Sequence, residues 1–386
     1  MKIALVIERM DTERGGREVS TAQVASELAR RGQDVTILCQ QGSWTNPSVR
    51  IISLGSRGVL RSTRLKNFVS AVQQHISANR YDIVHTTLPI PSANVYQPRG
   101  GSVPAQNLAS LRRRSIVERP FVHMFGPLNR TRRLMHRLEA QVSADVETAI
   151  LPVSRMVADE FVEHYNRRSN VRVVYNAVAG PACNGDQRAD WRQQNRFQLG
   201  LGQKDIMFLT VATNFALKGV SESIKAFARW YHSPLRKCKA CLVIVGRELA
   251  EGHQRQASLR DVAPVVHFVP RTPQVEQWYS AADACVLLSW YDPCSRTVLE
   301  AARRGVPSIT TRFNGAAELL DRACIVVPSP NDTKAVTAAL AEIADPQTRA
   351  CLARECLAAS ARISIDRHVS ELLEVYKTLA GRPVNA

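Results

Sequence analysis

KIALVIERMDTERGGREVSTAQVASELARRGQDVTILCQ, residues 2–40, is enough to set the fold class. It opens on a short apolar run over residues 3–7 that Glu8 and Arg9 close, the length of one strand. A loop over residues 9–17 carries the pair Gly15 and Gly16. Beyond it, Val19, Ala22, Val24, Ala25 and Leu28 recur at roughly helical spacing. Gly32 ends the helix, and DVTILCQ is a second apolar strand. Strand, helix and strand in immediate succession imply a parallel sheet with helices on both faces.

The same rhythm continues outward. Strands are predicted at 49–54 (VRIISL), 81–87 (YDIVHTT), 148–154 (TAILPVS) and 171–176 (VRVVYN). Residues 177–204 are polar, rich in Gly and Gln, and lack a strand-length apolar run, so they read as a linker. A second β/α series begins at DIMFLTVAT (205–213) and runs through the helix SESIKAFARWY, then CLVIVG, VVHFVP, ACVLLSW, PSITT and CIVVP. The expected layout is a first Rossmann-like domain over 1–176, the linker 177–204, and a second such domain over 205–363. A last helix within 364–386, centred on HVSELLEVYKTL, is expected to pack back on the first domain.

Composition bounds what the chain can do. Its 386 residues, 45% apolar and 22% charged, suit two soluble domains and exclude disorder, collagen and coiled coil. No apolar stretch approaches the roughly 18 residues of a membrane span; residues 281–291 fall short and contain Asp283. The apolar run at 3–7 is too short for a signal peptide, so a cytoplasmic location is expected. Nine scattered cysteines fit reduced core thiols, and Cys238 with Cys241 lacks the second pair a zinc site needs. Neither metal nor cofactor is expected.

Residues 283–318, DACVLLSWYDPCSRTVLEAARRGVPSITTRFNGAAE, carry the chemistry. A buried strand runs into a loop with Asp292 and Pro293, and a helix starting near Ser295 carries Glu300 before Gly305 and Pro307 stop it. Both carboxylates can border a crevice at the carboxyl end of the strand, where open α/β sheets bind ligands. The N–H groups of Cys294, Ser295, Arg296 and Thr297 at the helix start favour an anion such as a diphosphate.

The pattern D-x7-E, then A-x-x-x-G-x-P-x-I and N-G-x-x-E, resembles the E-x7-E signature of the retaining nucleotide-sugar glycosyltransferases of family 4, which have the GT-B fold. The resemblance extends in order through Gly15 and Gly16 with the helix behind them, PVS to Asn176, Lys218 with Gly219, VIVG and the VHFVP turn. ANVYQPRGG (93–101), RLEAQ (137–141) and the segment 154–165 are similar to the lipopolysaccharide inner-core glucosyltransferases.

The resemblance implies two Rossmann-like domains facing across a cleft, and a hexose moved from a nucleotide diphosphate sugar, with UDP expected, to a glycan or lipid-linked acceptor. It assigns Glu300 to the ribose hydroxyls, Asp292 to the donor sugar in place of the family's first Glu, and Lys218 to the diphosphate leaving group. Gly15 and Gly16 would let backbone amides approach the donor phosphate. Many members carry an Arg about six residues before that lysine; Ala212 lies there here, so the second cation would come from Arg271 or Arg296. With no D-x-D pair in the chain, the leaving group would be stabilised without a metal. Glu18 or His123 could assist the acceptor hydroxyl, and His85 reads as a structural histidine at a strand end.

The charge balance, 51 Lys plus Arg against 34 Asp plus Glu, is +17. Part of it lies at residues 57–68 and part among Arg99, Arg112, Arg113, Arg114, Arg119, Arg130, Arg132, Arg133 and Arg137, with Phe121, Met124, Phe125 and Leu128 interleaved. No nucleic-acid motif accompanies them, so the expected partners are an anionic membrane face and a phosphorylated glycolipid acceptor rather than nucleic acid. A second reading is a degenerate GT-B protein, disabled at Asp292 and Ala212, that docks to anionic lipid or nucleic acid.

Overall fold

The structure, a computed structural model, describes residues 1–114, 129–180, 185–248 and 250–380. The chain divides into two units, Met1–Ala177 with Ile365–Ala386, and Val178–Ser364.

Unit one is built on a parallel sheet of β1 (Lys2–Val6), β3 (Asp34–Cys39), β5 (Val49–Ser53), β6 (Ile83–Thr86), β7 (Val95–Tyr96) and β8 (Ala149–Ile150), in the order β5-β3-β1-β6-β7-β8. β2 (Arg9–Met10) and β4 (Gln41–Gly42) pair separately beside it. β1 is central and pairs in parallel with β3 and β6 from Ile3 onward. Buried on both faces, it needs apolar residues at every position, which is why its sequence runs unbroken instead of alternating. The α1 helix (Gly16–Arg30) packs Ala22, Val24, Ala25 and Leu28 into one core, and Gly32, at φ +76°, turns the chain out of it. On the other face the α2 helix (Arg61–Ala78) supplies Leu65, Phe68, Val69 and Val72.

The helix Ile365–Leu379 belongs to unit one. Its Val369, Leu372, Val375, Tyr376 and Leu379 enter the same core as α1, and Arg31 reaches Asp366 at 2.5 Å. Residues 171–176, read as a strand, form none. They run along β8 through Arg172 N–H to Ile150 O at 3.0 Å and Val174 N–H to Pro152 O at 2.9 Å, and only the bridge at Val171 is regular.

Unit two repeats the plan with β9 (Ile206–Ala212), β10 (Ala240–Gly246), β11 (Val266–Pro270), β12 (Ala284–Leu287), β13 (Ser308–Thr311) and β14 (Cys324–Val327), ordered β11-β10-β9-β12-β13-β14. Cys241 is buried in β10, and burial pushes its thiol up to about 12, the behaviour of a core residue. Fully buried Phe208, Phe227 and Trp230 meet edge to face or tilted in the core on one side of the sheet.

The stretch read as a linker is different in the structure. Residues Gly185–Gln198 form a helix, and unit two begins at Val178. Arg196 in this helix is buried and ion-paired to Asp283 at 2.7 Å, and it donates to Gly202 O and Asp205 O, both at 2.6 Å. The segment is held by arginine hydrogen bonds rather than by an apolar stripe, and this hides it from a reading of hydrophobic periodicity.

Candidate active site

In unit two the chain leaves β9 toward β10 and β11, then returns to β12 on the other side of β9. The direction of crossover therefore reverses between β9 and β12, and the crevice of an open α/β sheet lies outside the carboxyl ends of such a strand pair. Lys218 follows β9 and Asp292 follows β12.

Their loops are built around close approach. Asn214 Oδ1 accepts from Leu217 N–H at 2.8 Å, curling the chain so that Lys218 precedes Gly219. Gly219 has φ +66°, and a Cβ there would stand 2.1 Å from Leu288 O, so only glycine lets the two loops pack. Trp290 N–H donates to Leu217 O at 3.0 Å and joins them. Asp292 is fixed through its backbone: its N–H donates to Phe313 O at 2.8 Å and its carbonyl accepts from Gly315 N–H at 3.0 Å. With both loops anchored, Lys218 Nζ donates to Asp292 Oδ2 in a partly buried ion pair.

Ser295 is the N-cap of the helix Arg296–Arg303, its Oγ accepting from Val298 N–H at 3.5 Å. The position is a capping site, not one that requires glycine. Asn314 Oδ1 takes the Ser295 N–H at 3.2 Å, so this group is not open to a diphosphate as the sequence suggested. The Thr297 hydroxyl donates to Val211 O at 3.2 Å and ties the helix start to the end of β9. Cys294 is buried.

Glu300 lies one turn into this helix. Arg296 Nη2 donates to Oε1 and Tyr279 Oη to Oε2, both at 3.1 Å, so each carboxylate oxygen is held and each keeps acceptor capacity. Tyr279 is fully buried; burial first, and the charge of Glu300 second, push its phenol well above the usual range and keep it a donor. Arg304 covers the Tyr279 ring at 5.1 Å and is itself ion-paired to Glu276. Tyr279 and Asn314 were missed as site residues: a single aromatic in the short helix Val275–Ala281 has no periodic signal. Asn314 begins the N-G-x-x-E stretch, whose spacing alone assigns it no role.

Of the two candidates for a second cation, Arg296 is engaged by Glu300. Arg271 is exposed beyond β11, the edge strand, and no hydrogen bond or ion pair among the described residues joins it to Lys218, Asp292 or Glu300. Ala212 is buried at the end of β9 against Gly246, where an added Cβ would meet its carbonyl at 2.5 Å, so the backbone leaves no room for a larger residue at 246.

In unit one, Gly15 precedes α1 with extended backbone, φ 169°, and a Cβ there would come no closer than 3.6 Å to Glu18 Oε2. The fold itself does not demand glycine there. Gly16 opens α1, and Glu18 is buried in its first turn. His85 is buried in β6, with Nδ1 on Tyr376 Oη; burial, then the charge of Arg99, lower it to about 3, so it is a neutral structural residue. His123 lies outside the described residues, as do Arg119, Phe121, Met124, Phe125 and Leu128. Arg99 leaves the surface cluster in which it was counted: it is buried, donating to Gln97 Oε1 at 2.7 Å and Thr21 Oγ1 at 3.0 Å.

Two family descriptions match these units: glycosyl transferases group 1 over residues 192–356 and Glycosyltransferase Family 4 over residues 14–179. The chain belongs to the family 4 glycosyltransferases. Its fold is that of a solved structure of WaaG, a glycosyltransferase involved in lipopolysaccharide biosynthesis, with a TM-score of 0.79, 18% identity, and coverage of 98% of this chain and 100% of that one. Among curated proteins, this glycosyltransferase is 23% identical over 308 residues to lipopolysaccharide glucosyltransferase WaaG of Escherichia coli (strain K12), covering 79% of each chain. It is also 23% identical over 339 residues to a D-inositol 3-phosphate glycosyltransferase of Thermobifida fusca (strain YX), covering 78% of this chain and 74% of that one. Anabaena Alr3699/HepE, solved in complex with UDP and glucose, matches with a TM-score of 0.70, 16% identity and coverage of 98% and 100%. These likenesses place both units in the GT-B fold. No described helix is long and apolar enough to cross a membrane.

Proposed function

We propose that this glycosyltransferase moves a hexose from a UDP-sugar to a glycan or lipid-linked acceptor with retention of anomeric configuration and without a metal. The observation that carries the reading is the Lys218–Asp292 ion pair at the β9/β12 switch point, with Glu300 held by two donors on the helix that follows. Glu300 Oε1 and Oε2 can each take one of two vicinal ribose hydroxyls. Lys218 exchanges Asp292 for the departing diphosphate, which matches its charge as the leaving group develops. Asp292, released, accepts from a hydroxyl of the donor sugar. The short Asp side chain that departs from the family's Glu is therefore not a vacancy but the resting partner of the lysine.

In the step itself the C1–O bond to the diphosphate breaks through an oxocarbenium-like state, and the acceptor oxygen forms its bond to C1 on the same face. The acceptor proton passes to the departing phosphate oxygen. No carboxylate is assigned as a covalent nucleophile. The exposed Arg130, Arg132, Arg133 and Arg137 of the helix Arg130–Ala144 support an electrostatic hold on the inner face of the cytoplasmic membrane, to be seen as salt-sensitive binding to anionic liposomes.

The reading is tested by thermal shift and donor hydrolysis in the presence of a chelator. UDP is expected to raise the melting temperature, and Glu300→Gln to reduce that rise. UDP-hexose hydrolysis by the wild type is expected to fall about 100-fold or more in Lys218→Ala, the scale of losing a charged group that stabilises the transition state. No shift with UDP, GDP or ADP would sink it.

A further inference from the structure

The sheet of unit one has its own switch point. The chain leaves β1 toward β3 and β5 and returns to β6 on the opposite side. Outside the carboxyl ends of β1 and β6 lies a cavity of about 290 Å³. Arg9, Arg14 and Arg17 from the segment after β1, and Arg61 and Arg64 from the first turn of α2, all line it, together with Glu8 and Glu18. The formal charge is 5 − 2 = +3.

None of these five arginines is in an ion pair among the described residues, although two carboxylates line the same cavity. Elsewhere in the unit arginines find acids: Arg31 holds Glu27 and Asp366, Arg172 holds Glu374, and Arg367 holds Glu371. Among the described residues the single side-chain hydrogen bond from the five is Arg64 Nη1 to Val59 O at 3.1 Å. Five like charges lining one concavity repel one another, and an anion that enters relieves the repulsion. Guanidinium forks match phosphate oxygens two at a time, with a geometry a lysine cluster lacks. A small-molecule site spans about 300–1,000 Å³, so this cavity stands at the lower end, suited to a phosphorylated monosaccharide and too small for a nucleotide diphosphate sugar.

We propose that Arg9, Arg14, Arg17, Arg61 and Arg64 form a subsite for a phosphomonoester on the acceptor sugar. This rests on the transferase reading above and adds the chemical class of the acceptor. Glu8 and Glu18 complete the site as acceptors for sugar hydroxyls, so that phosphate and sugar are read by different side chains.

The experiment is calorimetric titration of the full chain with glucose 6-phosphate, D-inositol 3-phosphate, inorganic phosphate, glucose and UDP, repeated on Arg61→Gln/Arg64→Gln and on Arg14→Gln. At least one sugar phosphate is expected to bind, glucose not to, and the variants to weaken the sugar phosphate at least tenfold with UDP affinity within twofold of wild type. If neither sugar phosphate binds while UDP does, the subsite is overturned and the transferase reading stands. If UDP weakens with the sugar phosphate, the arginines serve the donor diphosphate and the proposal falls. Failure of UDP to bind the wild type would instead strike the transferase reading. Phosphatidylglycerol vesicles form a last arm: arginine-dependent vesicle binding without sugar-phosphate binding would reassign the cluster to a lipid surface and overturn the subsite.

Discussion

Gly219 and Gly15 carry the same residue type for opposite reasons, and substitution should separate them. At Gly219 the backbone is left-handed and an added Cβ would stand 2.1 Å from Leu288 O, so Gly219→Ala should cost about 2–4 kcal/mol through strain and overpacking. At Gly15 the backbone is extended and an added Cβ would meet Glu18 only at an ordinary contact distance, so Gly15→Ala should leave stability within about 0.5 kcal/mol while slowing transfer. Urea unfolding of the two variants checks the first half of the contrast, and initial rates with a UDP-hexose the second. Tyr279→Phe removes the donor to Glu300 Oε2 and, at about 1 kcal/mol for a net hydrogen bond, should weaken UDP about fivefold with no loss of the Lys218–Asp292 pair. An unchanged UDP affinity would show that Glu300 does not need its buried partner. Residues of this kind divide what could be read from the chain. Asp292 and Glu300 sit in a spaced motif and Lys218 beside Gly219 in the ordered resemblance, so all three are legible in the sequence; Tyr279 acts through a single hydroxyl in a seven-residue helix and is not.

Elements driven by apolar burial were legible, and those driven by polar bonding were not. β1, β9 and β10 are continuous apolar runs because parallel strands are covered on both faces. The helix Gly185–Gln198 has Asn195 and Arg196 as its buried residues, so its sequence looks like solvent-exposed chain. What holds it is a fork: Arg192 and Arg196 grip the two oxygens of Asp283 at 2.6 Å and 2.7 Å, and Met207 N–H donates to the same carboxylate at 2.8 Å. β9 and the start of β12 are thereby pinned to the helix through one acid. Arg196→Met should leave Asp283 buried with half its compensation and cost about 3–5 kcal/mol, whereas Arg192→Met, at a more exposed side chain, should cost about 1 kcal/mol. Equal effects in chemical denaturation would mean that the helix is not held in this way.

At the scale of the whole molecule, the two β/α series and the return of the last helix to unit one follow from the order of apolar segments. The net charge of +17 acquires a location only in three dimensions, where Arg99 turns out to be buried and the arginines around residues 9–17 and 61–64 meet in one cavity. Under the last helix lies a polar cluster in which His85 and His368 are fully buried and both held below the usual histidine range, chiefly by burial and then by Arg99. His85 is lowered from 6.5 to about 3. A native pKa below the unfolded one means that the unfolded chain binds the extra proton, so the contribution is complete above about pH 6.5 and is lost as the pH falls toward 3. At about pH 4.5 the deficit from His85 alone should be about 2–3 kcal/mol. Melting temperature should therefore fall on acidification from pH 7 to 4.5, and His85→Gln, less stable at neutral pH, should show a shallower fall. Because Tyr376 and His368 lie on the helix Ile365–Leu379, the same acidification should expose the amides of that helix to hydrogen exchange before those of β1. A pH profile with the same slope in wild type and His85→Gln would show that the acid sensitivity lies elsewhere.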